Sequence, residues 1–182
     1  MFRAIFRVLF PALSCGVFGM FFSFAVVHAA TTTVCPSGCD FTSLNAAVIA
    51  PPASGDAIVL ETGYVYDEIA EGGSINLPDN VTLTCDSGVT YGDSAQAPSY
   101  LYPGSTNILY GCTFENTNFD ASGKVDVRFL ENIFSSAATS QLVFTLTTGI
   151  TIRDNQGIQK VHFQNVDNAI IENNVFECRF GN

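Results

Sequence analysis

The chain has 182 residues, of which 47% are hydrophobic and 13% are charged, and it carries 17 Asp and Glu against seven Lys and Arg. This composition suits one domain with an apolar core and argues against a disordered segment. The acidic balance also disfavours binding to nucleic acid or to anionic membrane surfaces, because like charges repel. The simplest role for such a surface is to keep the protein soluble, and the second is to bind divalent cations.

The N-terminal segment predicts a cleaved secretory signal peptide. Arg3 and Arg7 precede an uncharged apolar run over residues 8–27, and the small residues Ala29 and Ala30 follow as cleavage positions. The open alternative is an uncleaved membrane anchor, because the run approaches the length that spans a bilayer. Without the signal, five Lys and Arg face 17 Asp and Glu, a formal charge of −12. We therefore expect a secreted, cell-surface or periplasmic protein.

Five cysteines follow the signal, and in an exported protein they can be oxidised to disulfides. Cys35 and Cys39 enclose a turn-forming Pro-Ser-Gly segment, which predicts a small disulfide loop. A zinc site is the weaker interpretation, because no second Cys or His cluster lies nearby in the sequence. An odd number of cysteines leaves at least one thiol unpaired within the chain.

One helix and several short strands are predicted next. Residues 42–50 have helical spacing at Leu44, Ala47 and Val48, a Thr-Ser pair precedes them as N-cap, and two prolines follow. Short apolar runs then predict strands at 57–60 and at 64–66, separated by a turn at a glycine, and the Asn80–Leu83 segment follows.

This order of elements from Cys35 to Leu83 resembles the beginning of the pectate-lyase-like right-handed β-helix superfamily. The resemblance covers about 50 residues and implies that the helix closes the open end of the first coil. It implies an all-β fold, a right-handed parallel β-helix (solenoid) with an N-terminal capping helix. We therefore expect a signal over 1–30, a cap over 31–56 and coils over 57–182.

A repeat of about 20 residues independently predicts the coils. Cys112, Asn132, Asn155 and Asn174 fall in one column, at spacings of 20, 23 and 19 residues. Apolar residues recur three positions before this column and, with one glycine, two positions after it, at Leu109, Phe129, Ile152 and Ile171 and at Phe114, Phe134, Gly157 and Phe176. One coil per repeat is the simplest explanation.

The repeated asparagines are interpreted as structural. Asn tolerates the left-handed backbone conformation of a bend and can bond its amide to the next Asn in a stack, so Asn132, Asn155 and Asn174 predict a ladder. Aligning 80–85 with 107–112 places Cys85 and Cys112 on adjacent coils, as a disulfide or as two buried thiols.

The chain ends a few residues after the last repeat without a capping helix. An open solenoid end leaves strand edges and apolar ladder atoms exposed, so we expect further coils or a partner to cover it.

No catalytic residues can be assigned. His162 alternates with Val161 and Phe163 on a predicted strand and is interpreted as a surface or structural residue, because a lone His is weak evidence for catalysis. Two functions remain: a carbohydrate-interacting or surface-display scaffold and, as the resemblance implies, a polysaccharide lyase or glycoside hydrolase acting on a uronate-containing polymer. Polysaccharide is the expected partner, and no cofactor is expected unless calcium binds.

One acidic pair is a candidate calcium site. Glu131 and Asp154 occupy the column before the asparagines, so they should lie about 4.8 Å apart on consecutive coils. Their charges would oppose each other, and calcium could relieve this through oxygen ligands. The alternative is that both carboxylates are solvated or paired with Arg128 or Arg153.

Overall fold

The computed structural model describes residues 29–50, 55–135 and 140–177. They form an all-parallel β-solenoid of about six turns with little helix, which confirms the predicted parallel β-helix. Most of the predicted signal and Cys178 lie outside the described residues.

Fifteen short strands and two short helices make up the described chain. In chain order they are β1 (Thr31–Val34), α1 (Leu44–Ile49), β2 (Ala57–Leu60), α2 (Glu68–Glu71), β3 (Ser74–Asn76), β4 (Thr82–Cys85), β5 (Thr90–Tyr91), β6 (Ser99–Tyr102), β7 (Ile108–Tyr110), β8 (Thr113–Phe114), β9 (Thr117–Asp120), β10 (Arg128–Leu130), β11 (Ile133–Phe134), β12 (Gln141–Thr145), β13 (Thr151–Arg153), β14 (Lys160–Gln164) and β15 (Ile170–Glu172).

The strands stack into three parallel sheets that wrap around one core. The seven-stranded sheet has the order β1-β2-β4-β7-β10-β13-β15, the five-stranded sheet β3-β6-β9-β12-β14, and the three-stranded sheet β5-β8-β11. Each strand pairs with the equivalent strand of the next coil, as a solenoid requires. The seven-stranded sheet already begins at β1, inside the segment expected as the cap.

Inward side chains stack in register to form the core. In the seven-stranded sheet, Leu83, Leu109, Phe129 and Ile152 lie above one another, and each is fully buried. Phe129 also packs edge-to-face on Phe119 of the five-stranded sheet, with ring centroids 5.3 Å apart. Since each such side chain contributes about 1.5–3 kcal/mol on burial, these ladders are the main source of stability.

The N-terminal cap depends on α1 and on one buried carboxylate. Ser43 is the N-cap of α1 and accepts a hydrogen bond from the Ala46 amide at 3.1 Å, and Leu44 enters the core. Glu71, only 1% exposed, accepts hydrogen bonds from the Leu44 amide at 2.9 Å and from the Tyr64 hydroxyl at 2.6 Å. The predicted helix is therefore present, slightly shorter than residues 42–50.

The predicted strand at residues 64–66 is wrong. Tyr64 and Tyr66 are buried and Val65 is 71% exposed, so the alternation of apolar side chains is real, but the segment pairs with no strand. Both tyrosine rings instead pack near Tyr91, with centroid distances of 6.5 and 5.1 Å. Alternation here marks an extended segment over the core.

The asparagine column forms a continuous hydrogen-bonded ladder. The Asn132 Nδ2 donates to Asn155 Oδ1 at 3.0 Å, and the Asn155 Nδ2 donates to Asn174 Oδ1, also at 3.0 Å. The same Oδ1 atoms accept the Asn132 and Asn155 main-chain amides, and Asn132 Oδ1 accepts the Cys112 amide. Asn132 and Asn155 are fully buried, so the ladder satisfies polar backbone groups that water cannot reach.

The left-handed bend of each coil does not lie at the asparagine, where the sequence predicted it. The left-handed residue lies one position before each asparagine, at Glu131 (φ 55°), Asp154 (φ 58°) and Asn173 (φ 54°). The bend is therefore made by the column of Glu131, Asp154 and Asn173, and the asparagine that follows each of them turns its amide inward to form hydrogen bonds with the neighbouring coils.

The column two positions after the ladder also differs from the prediction, because Gly157 does not belong to it. Ile133 pairs with Gln156, but Phe176 pairs with Ile158, so the coil containing Gly157 has one extra residue. Gly157 has φ 71°, and a Cβ there would lie 2.1 Å from the Phe134 carbonyl oxygen. Only glycine fits this approach, and Ile158 occupies the core in its place.

Candidate functional site

The outward surface of the five-stranded sheet carries a row of aromatic and polar side chains, which we call the tyrosine face. Side chains alternate across a strand, so burying Leu101 and Phe119 turns their neighbours to solvent. Register places these neighbours in two columns, Ser74, Tyr100, Asn118, Gln141 and Lys160 in one and Asn76, Tyr102, Asp120, Val143 and His162 in the other.

Two tyrosines form the aromatic part of this face. The rings of Tyr100 and Tyr102 are nearly parallel, with an interplanar angle of 17° and centroids 6.5 Å apart. Tyr100 is 42% exposed. The two tyrosines line a cleft of about 270 Å³ together with Asn118, Asp120 and Gln141. Two parallel aromatic rings beside amide and carboxylate groups suit a ligand with both C–H faces and hydroxyl groups.

Asp120 retains an oxygen for such a ligand. Its Oδ1 accepts hydrogen bonds from the Ser122 amide at 2.9 Å and from the Ser122 hydroxyl, which fixes the carboxylate. Among the described residues no donor is bound to Oδ2, so this atom can accept a ligand hydroxyl without breaking a protein contact.

Catalytic geometry is not evident on the tyrosine face. His162 is exposed, as expected, and shares a column with Asp120, but Val143 lies between them. Two strand spacings separate their backbones by about 10 Å. Asp120 is the one carboxylate among the described residues of the two columns, so they contain no acid pair of the kind that cleaves glycosidic bonds.

The candidate calcium residues lie at a different place, where the seven-stranded sheet ends in the left-handed bend. The Tyr110 hydroxyl donates to Glu131 Oε2 at 3.1 Å, and this bond, together with the charge of Glu131, raises the pKa of Tyr110. Arg153 Nε lies 3.3 Å from Asp154 Oδ2. Each carboxylate thus has its own partner. The pairing of Asp154 with Arg153 is one of those expected from the sequence.

Among the described residues, three metal-ligating side chains lie close together at Cys35, Cys39 and Glu61. The two sulfurs are joined in a disulfide with an S–S distance of 2.00 Å, so they are not thiolate ligands. Calcium binding at Glu131 and Asp154 stays a prediction.

The second disulfide joins Cys85 to Cys112 with a Cα–Cα distance of 4.9 Å, and it links two adjacent coils. The sequence alignment of 80–85 with 107–112, which suggested this disulfide, differs by one residue from the register in the structure. Leu83 pairs with Leu109, and Thr84 pairs with Tyr110. Cys85 therefore lies beside Gly111, and its bond runs diagonally to the following residue. Of the two interpretations left open for this pair, the structure selects the disulfide.

The tyrosine face was missed at the sequence level. Its signal was Tyr100-Leu101-Tyr102, two aromatic residues on either side of a buried one, which predicts two outward rings on one strand. Neighbouring coils supply the amides and the carboxylate, and no motif in the linear sequence links them.

Comparison of the chain with protein-family models, with curated proteins and with solved structures gives no significant match. The resemblance to the pectate-lyase-like superfamily is thus supported at the level of the parallel β-solenoid, and no family is assigned. No helix among the described residues is long and apolar enough to cross a membrane.

Proposed function

We propose that this protein is an exported parallel β-helix that binds polysaccharide along the tyrosine face without catalysing its cleavage. The observation that carries the proposal is the Tyr100–Tyr102 pair beside the amide and carboxylate groups of the next two coils. From β3 to β14 the face extends over four strand spacings, about 19 Å, which suits an elongated chain better than a single small molecule.

Export is supported by the disulfides. Cys35–Cys39 and Cys85–Cys112 both form within the described chain, and disulfides persist in oxidising compartments. The basic, apolar and small-residue order of the N-terminal segment supports the same destination. We infer a secreted, cell-surface or periplasmic location.

The experiment that tests carbohydrate binding is titration of the folded protein with a panel of neutral and uronate-containing oligosaccharides, measured by calorimetry. Replacing Tyr100 or Tyr102 by Ala removes one stacking surface worth about 1 kcal/mol, so each substitution should weaken Kd about fivefold. Asn118→Ala should weaken it as well, because one hydrogen bond to the ligand is lost.

Tyr110→Ala is the matched control. Tyr110 is also 42% exposed, but it lies on the seven-stranded sheet, away from the tyrosine face. Binding that is lost equally in Tyr100→Ala and Tyr110→Ala would contradict the proposed face. Depolymerisation of a uronate polymer by the wild-type protein, with or without calcium, would instead identify the polysaccharide lyase or hydrolase that the resemblance implies.

A further inference from the structure

A second groove lies on the seven-stranded sheet, on a different side of the solenoid from the tyrosine face. It has a volume of about 310 Å³, and we call it the arginine groove. Its lining residues come from the last three strands of the sheet and are Arg128, Leu130, Thr151, Arg153, Ile170 and Glu172.

Two of the few basic side chains of this acidic protein lie close together here, beside the carboxylates of Asp154 and Glu172. The described residues include four Lys and Arg, and two of them, Arg128 and Arg153, line this groove. Register pairs Arg128 with Thr151 and Leu130 with Arg153, so the arginines are diagonal neighbours with Cα atoms about 8 Å apart. One extended ligand can therefore reach both guanidinium groups.

Both guanidinium groups have donors available. Arg153 uses Nε for Asp154, which orients the group and leaves its two terminal nitrogens for a second carboxylate. Arg128 is exposed and forms no ion pair within the described part of the chain. Glu172 lies beside Arg153 in the register without an ion pair to it among the described residues, so it lowers the local potential and competes with an anionic ligand.

Aliphatic side chains complete the surface. Leu130 neighbours both arginines, since it follows Arg128 by two residues on β10 and pairs with Arg153, and Ile170 is 48% exposed. Aliphatic contacts favour a ligand that carries apolar side chains as well as carboxylates, whereas a sugar chain is better served by the aromatic rings of the tyrosine face. We propose that the arginine groove binds an acidic peptide segment of a partner protein, in which Asp or Glu alternates with aliphatic residues.

Fluorescence anisotropy with a labelled peptide of alternating Asp and Leu tests this inference. Arg128→Gln and Arg153→Gln should each weaken Kd about tenfold, and the effect should shrink at high salt, because the attraction is partly exposed to solvent. Glu172→Gln should strengthen binding, because it removes a competing carboxylate. Lys124→Gln is the control, since it removes the same charge outside the groove.

Several results would overturn the inference. A peptide in which Asn replaces every Asp should not bind, and equal binding would exclude recognition by the arginines. Equal weakening by Lys124→Gln would indicate a general charge effect. Binding of an oligouronate but not of the peptide would reassign the groove to an acidic glycan. The arginine variants should unfold at the same temperature as the wild-type protein, which keeps a loss of binding separate from a loss of fold.

Discussion

Replacing Glu71 by Ala should uncouple the N-terminal cap from the solenoid. The Glu71 carboxylate is 1% exposed and accepts three hydrogen bonds, from the amides of Leu44 and Asn45 at 2.9 and 2.8 Å and from the Tyr64 hydroxyl at 2.6 Å. Two of these donors are the first amides of α1, which have no partner inside the helix.

The magnitude follows from those three bonds. A hydrogen bond to a charged group contributes about 1.5–3 kcal/mol, and each orphaned donor then carries its own desolvation cost. Allowing for relaxation and entry of water, we expect Glu71→Ala to lower the free energy of unfolding by about 3–5 kcal/mol, which corresponds to a fall in Tm of about 10 °C. Glu71→Gln keeps one acceptor oxygen and should cost less.

The assay combines urea unfolding, followed by circular dichroism, with hydrogen exchange. Because coils contact only their neighbours, the loss should be concentrated in the cap, and the amides of Leu44 and Asn45 should exchange fastest in the variant. Glu68→Ala is the matched control, since Glu68 lies one turn earlier in α2 and makes none of these side-chain bonds. A loss below about 1 kcal/mol, or one equal to that of Glu68→Ala, would refute this account of the cap.

Two further predictions concern pH and calcium. Burial and the neighbouring Glu71 raise the pKa of Tyr64, and burial raises that of Tyr91, so both stay protonated when folded while unfolded tyrosine ionises near pH 10. Stability should therefore be fully present below about pH 10 and fall above it, and the tyrosinate absorbance of these two buried residues should appear together with unfolding; their full ionisation in the folded protein would contradict this. Calcium should give a measurable heat of binding with the wild-type protein but not with a variant that carries both Glu131→Gln and Asp154→Asn, and equal, negligible heats would exclude the site.

Inward positions explain why the coils could be predicted from the sequence. The column Leu109, Phe129, Ile152 and Ile171 recurs because every coil must fill the same core, and its register is as expected. The bend could not be placed to the residue, because Asn adopts the left-handed backbone conformation more readily than Glu, and this preference pointed to Asn132 and not to Glu131. In the structure Glu131 is the residue that adopts φ 55°.

Outward positions carried no comparable signal. Tyr100 is followed in its column by Asn118 and Gln141, three unrelated side chains that share no repeat. A ligand site of this kind is defined by register across coils, whereas linear motifs are defined within one segment. The tyrosine face can therefore be recognised only from the register between the coils.

The separation of inward and outward residues also makes the two proposed sites independently testable. Alternation along a strand allows an outward side chain to change without altering the ladder beneath it, so Tyr100→Ala and Arg153→Gln should each leave the core unchanged. The two residues lie on different sheets, so their effects on stability should add. A double variant that loses oligosaccharide and peptide binding together, while each single variant loses one, would show two separate sites. Loss of both ligands in either single variant would show instead that the faces share one ligand or one structural change.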